Sequence, residues 1–154
     1  MCSYCGCEAE TVMKALTDQH QSIEALIRQV AGALDSEDIA KAASATAKLG
    51  ALFDSHGRAE EQGLLRQLLL AGEAAEEVER LLSEHEKFRA GLFDPTAVSR
   101  PDELRRLLRA LLDHAELEET DLFPYAWQVL SGESWDLVEE ATLGDPDEAP
   151  WAGP

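Results

Sequence analysis

Apolar residues recur at threes and fours through four long stretches of this chain, the spacing of one face of an α-helix. The first stretch, from about Glu8 to Leu34, carries Val12, Leu16, Ile23, Ile27, Val30 and Leu34 on one stripe. Asp35-Ser36 interrupts it, and either residue is placed to cap a second helix over Glu37 to Leu70, which Gly72 stops. A third helix is predicted over Ala74 to Phe93, with Val78, Leu81, Phe88 and Leu92 facing inward. Asp94 to Pro101 reads as a loop; Ser99 is placed to cap a fourth helix, with Pro101 in its first turn where a missing N–H costs nothing. That helix carries Leu104, Leu107, Leu108 and Leu111, and it is expected to kink or end just before Pro124, because proline cannot donate an interior hydrogen bond. A shorter helix follows from about Ser134 to Leu143. No strand-like alternation is present, so the fold class is all-α: an up-and-down antiparallel four-helix bundle with a short C-terminal helix. The expected divisions are a Cys-rich segment over residues 1–8, the bundle over 9–143, and a flexible acidic tail over 144–154.

The histidines break this pattern in a regular way. His20 occupies a core slot in the series Val12, Leu16, His20, Ile23, Ile27. The second helix continues Leu49, Phe53, His56, Glu60, Leu64, so a histidine and a carboxylate one turn apart replace two apolar positions. His85 lies between Leu81 and Phe88, while His114 and Glu118 extend Leu104, Leu107 and Leu111. All four histidines of the chain therefore point into the bundle, one from each long helix. Counting from the connecting turns places Glu60 and His85 nearly level, and His114 within about a turn of His85. His20 and His56 agree less well, and a longer first connection or a looser helix start must absorb the difference.

Burying two carboxylates without cations or donors costs several kcal/mol each, and on these stripes Arg89, near the rim, is the one basic residue close to them. A metal centre removes that penalty. Four imidazoles and two carboxylates exceed what one tetrahedral zinc takes. If Glu60 and Glu118 each bridge, the chain supplies eight metal bonds, whereas two octahedral ions need about twelve, which leaves room for an oxo or hydroxo bridge and outside ligands. Mixed imidazole and carboxylate donors with open positions suit two Fe ions, with manganese or zinc as substitutes.

The pattern His20, His56-x-x-x-Glu60, His85, His114-x-x-x-Glu118, followed by Leu122-Phe123-Pro124, resembles the hemerythrin-like (HHE cation-binding) family of non-haem diiron bundles over residues 9–131. The resemblance implies that His20, His56, Glu60, His85, His114 and Glu118 ligate iron, with both glutamates bridging. It also implies a protein that binds or reacts with O2, hydrogen peroxide or nitric oxide, either as an oxidoreductase or as a sensor or iron binder without turnover. Two departures stand out. Oxygen carriers of this family have a fifth histidine four residues after the first one on the third helix, where this chain has Arg89, so an open coordination site is expected. The carriers' last carboxylate would correspond to Glu119; Glu118 is preferred because four residues rotate a helix by about 40° and five by about 140°. Glu61, Glu119 and Asp121 then read as solvated-face acids, and Tyr125 as bundle packing.

Charge and cysteine usage narrow the partners. The 154 residues contain 31 acids against 13 Lys and Arg, for a net charge of -18, which disfavours nucleic acid and anionic membranes. No apolar run approaches membrane-spanning length and no secretory leader is visible, so a cytoplasmic location is expected. The three cysteines, Cys2, Cys5 and Cys7, suit a second metal site or a dithiol redox pair. They lie too far from His20 to reach the irons and are read as a link to an electron donor or redox partner.

Overall fold

The computed structural model describes residues 7–144, which are helical over most of their length. The elements are α1 (Cys7–Asp35), α2 (Ile39–Gln62), α3 (Leu64–Leu70), α4 (Ala75–Leu92), α5 (Pro101–Leu117), α6 (Phe123–Val129) and α7 (Gly132–Leu143). A 3-10 turn (Ala97–Ser99) precedes α5, and a π turn (Glu118–Leu122) joins α5 to α6. The fold is the expected all-α up-and-down bundle. Cys2, Cys5 and the expected mobile tail beyond Gly144 lie outside the described residues, and Cys7 opens α1.

The core is split in two. One apolar cluster contains Ile23, Ile27, Leu49, Phe53, Phe88, Leu92, Leu108 and Leu111; the other contains Val12, Leu16, Leu64, Leu65, Leu68, Val78, Leu81 and Leu122. Following the chain, α1 runs from the second cluster to the first, α2–α3 returns, α4 runs out again and α5–α6 comes back. That alternation is the antiparallel topology. Each crossing passes through the same polar layer, at His20, at His56 and Glu60, at His85, and at His114 and Glu118. The helix ends differ from expectation at several points. The α1–α2 connection is a Schellman-type turn: the Asp38 amide donates to Ala33 and the Glu37 amide to Leu34, with Glu37 in the left-handed region (φ 56). Asp38, not Asp35 or Ser36, caps α2 by accepting from the Lys41 amide. These three linking residues bring His20 and His56 level. Gly72 (φ 72) closes α3 with the same motif, as expected. Ser99 does not cap α5; it belongs to the 3-10 turn, and Arg100 holds the cap position without a side-chain bond.

Two interruptions shape the bundle's far end. The second helix is not continuous to Leu70 but breaks at Gly63 (φ -101, ψ -98). A Cβ there would lie 2.9 Å from the Ala59 carbonyl and 3.1 Å from the Ala141 side chain, so glycine permits α7 to approach α2. α7 begins at Gly132, two residues earlier than expected, with Ser131 accepting from the Ser134 amide. It buries Trp135 and Val138 against the second cluster. In the last long helix, the interruption expected just before Pro124 takes the form of the π turn, which absorbs the lost donor, and helix resumes through Val129. Among the described residues no helix is long and apolar enough to cross a membrane.

Replacing Gly63 with Ala should destabilise the protein by about 1–3 kcal/mol, as overpacking does, although removing a glycine from a helix usually stabilises it. Urea denaturation checks the sign.

Candidate metal centre

The polar layer assembles in the middle of the bundle because each of its residues replaces an apolar residue on an inward stripe. His20, His56, Glu60, His85, His114 and Glu118 are all at most 5% exposed. Two donor groups form: His20, His56, Glu60 and Glu118, and Glu60, His85, His114 and Glu118, with the contributing atoms of each group within 4.8 Å of one another. Both glutamates belong to both groups. They also divide their oxygens between them. Glu60 Oε1 lies 3.1 Å from His56 Nε2, and its Oε2 lies 3.5 Å from His85 Nε2. Glu118 Oε2 lies 3.0 Å from His20 Nε2, and its Oε1 lies 2.7 Å from His114 Nε2.

The outer ring nitrogens fix which atoms face inward. His20 Nδ1 donates to Glu119 Oε1 (2.8 Å), His56 Nδ1 to Gln19 Oε1 (2.6 Å), His85 Nδ1 to Glu61 Oε1 (2.9 Å) and His114 Nδ1 to Glu84 Oε2 (2.6 Å). With each Nδ1 carrying its hydrogen, every Nε2 turns a lone pair to the centre, the arrangement of metal-ligating imidazole. The supports close a ring: α1 supplies Gln19 to α2, α2 supplies Glu61 to α4, α4 supplies Glu84 to α5, and the π turn supplies Glu119 to α1. Glu61 and Glu119 are therefore not solvated-face acids with nothing to do, although Glu119 keeps 37% side-chain exposure. Gln19 and Glu84 were not visible from the stripes at all. Asp121 is exposed as expected, whereas Tyr125 is not core packing: the residue is 38% exposed, and its hydroxyl donates to Glu73.

Around the layer stand three of the four phenylalanines. Phe53 meets His85 edge-on at 5.4 Å, Phe88 meets His114 edge-on at 5.2 Å, and Phe123 stacks on His20 at 5.8 Å. This wall excludes water from a set of atoms that mostly accept hydrogen bonds. His20 Nε2 and all four oxygens of Glu60 and Glu118 are buried with no hydrogen-bond partner. Orphaned buried acceptors facing each other are the condition a cation relieves, so the donor set fits a metal. Protons compete for the same place. Burial alone would lower the pKa of His20, but Glu118 and Glu60 outweigh it and push it up to about 11. His114, also opposed by burial, is pushed up to about 9, chiefly by Glu118. Conversely, Glu118 is held well below the usual carboxylate range, against its burial, by His114, His20 and His85.

Arg89 contributes no donor to the layer. Its guanidinium reaches Asp54 Oδ1 from Nε (2.8 Å) and Glu61 Oε1 from Nη2 (2.8 Å). Gly57 makes room for it: a Cβ at that position would lie 3.0 Å from Arg89 Nη2 and 3.4 Å from His85 Nδ1.

A divalent cation at 100 times its dissociation constant should stabilise the fold by about 2.7 kcal/mol, which raises the melting temperature by about 5–10 °C for a chain of this size. Chelator should reverse the rise. Glu118→Ala, which strips a carboxylate from both donor groups, should abolish it in differential scanning fluorimetry.

No curated protein and no solved structure matches the chain. The family model for the Hemerythrin HHE cation binding domain matches residues 11–126, the span from the first turns of α1 into α6 that contains all six converging side chains. The chain belongs to the hemerythrin HHE cation-binding family.

Proposed function

We propose that His20, His56, Glu60, His85, His114 and Glu118 hold two iron ions, with Glu60 and Glu118 bridging, and that the protein binds or reacts with small oxidants. The observation that carries this reading is the division of each carboxylate's oxygens between the two donor groups. A single ion would not use that arrangement; two ions a carboxylate apart would. Iron bound there supplies one-electron chemistry toward O2, hydrogen peroxide or nitric oxide.

The chain's own residues set the conditions for that chemistry. The outer acceptors orient the rings and raise their basicity. Phe53, Phe88 and Phe123 keep the surroundings apolar, so an uncharged diatomic molecule enters more readily than an ion. Arg89 stands where oxygen carriers of the family have a fifth histidine, and it adds no ligand, which supports reactivity over simple carriage. Catalase-like turnover of peroxide would need no outside reductant, since one peroxide oxidises another, whereas reduction of nitric oxide would draw on an external electron donor.

Purified protein reconstituted with ferrous iron should contain about two irons per chain and show near-ultraviolet charge-transfer bands. A folded protein that takes up no iron defeats the proposal. His85→Ala should lower occupancy, and turnover assays with peroxide and with nitric oxide separate an enzyme from a binder.

A further inference from the structure

The four acceptors that back the imidazoles are not equivalent in charge. His56 is backed by the neutral amide of Gln19, whereas His20 and His114 are backed by Glu119 and Glu84, neither of which has a Lys or Arg partner among the described residues. His85 is backed by Glu61, and this carboxylate alone of the three is paired with a cation, Arg89. Each donor group thus has one ring backed by an unpaired carboxylate and one backed by a weaker acceptor: His20 with His56, and His114 with His85.

The pairing of Glu61 with Arg89 is built, not incidental. One Glu61 oxygen, Oε1, accepts from His85 Nδ1 at 2.9 Å and forms an ion pair with Arg89 Nη2, which lies 2.8 Å away. The guanidinium is anchored from its other side by Asp54, which Arg58 holds in turn at 3.0 Å. Gly57 leaves the space that the guanidinium fills beside the His85 ring, and a methyl group there would lie 3.0 Å from Arg89 Nη2 and crowd it. Burial, Glu61 and Asp54 all act on this guanidinium, and the two carboxylates keep it charged.

We propose that Arg89 is a positioning residue of the metal centre: through Glu61 it fixes the His85 ring and tempers the carboxylate's pull on the Nδ1 hydrogen. This inference rests on the diiron reading. A bare carboxylate draws an imidazole toward imidazolate, which makes it a stronger donor and favours the more oxidised metal. Sharing the same oxygen with a guanidinium weakens that effect. Arg89 therefore holds His85 at a donor strength closer to that of amide-backed His56, and it raises the potential of the ion beside His85 and His114.

The test is a spectroelectrochemical titration of the iron-loaded full chain. Arg89→Met should shift the midpoint potential downward, Arg89→Lys should restore most of it, and Glu61→Gln should shift it upward. Opposite signs from two neighbouring substitutions are not what a general loosening of the bundle produces. In the Glu61→Gln background, Arg89→Met should shift the potential much less than it does alone, because the two act through one oxygen. Should Arg89→Met fail to fold, Gly57→Ala displaces the guanidinium while keeping its charge in the chain, and it should shift the potential downward as well. Wild-type potentials in Gly57→Ala and Glu61→Gln, or in Arg89→Met, overturn the proposal. A wild-type chain that takes up no iron overturns the diiron reading instead, and that outcome is seen before any variant is made.

Discussion

The structure depends on one electrostatic constraint: two carboxylates and four imidazole lone pairs face one another in a volume from which water is excluded. Such a set of acceptors is unstable without positive charge between them. Protons supply it in part, which is why the rings of His20 and His114 hold theirs so strongly. A metal supplies it more completely and must displace those protons to bind. The outer hydrogen bonds, the phenylalanine wall and the level placement of the four helices all serve to keep that set of atoms converging.

The same constraint explains why the support is circular. A histidine on one helix cannot be oriented by its own helix, because its Nδ1 points sideways toward the neighbour. Each long helix therefore carries a polar residue directly beside its own layer residue, and this flanking residue serves the next helix: Gln19 beside His20, Glu61 beside Glu60, Glu84 beside His85, Glu119 beside Glu118. One step of about 100° along the helix converts an inward position into a lateral one. The ring closes only in a four-membered antiparallel arrangement with all layers level, so fold and site constrain each other.

Much of this was legible in the sequence. Polar residues at core positions of a 3.6-residue pattern stand out, and six of them, on four helices, identified the layer and the bundle together. What escaped notice did so for physical reasons. Glu61, Glu84 and Glu119 are three acids among 31, and nothing in periodicity separates an acid that receives an imidazole N–H from one that faces water. Their adjacency to the layer residues was the available signal. The break at Gly63 escaped because a glycine within a helical stripe reads as tolerated; the nearness of the Ala59 carbonyl and of Ala141, from a helix 78 residues later in the chain, shows that it is required. Glu37 in a left-handed turn concealed the true cap at Asp38, since glycine is the residue expected there. The π turn is a response to Pro124 that sequence spacing registers only as an interruption.

The polar layer between two apolar clusters also governs axial register. Leucine-lined helices can slide past one another by a turn, about 5.4 Å, and exchange one set of apolar contacts for a similar one. Here a slip of any long helix would carry an imidazole or a carboxylate out of the layer and into hydrocarbon, and bring apolar residues such as Leu16, Phe53 or Leu111 toward the remaining acceptors. Every displaced alignment is penalised, whichever helix moves and in whichever direction. The layer thus selects a single alignment from several that hydrophobic packing alone would leave nearly degenerate.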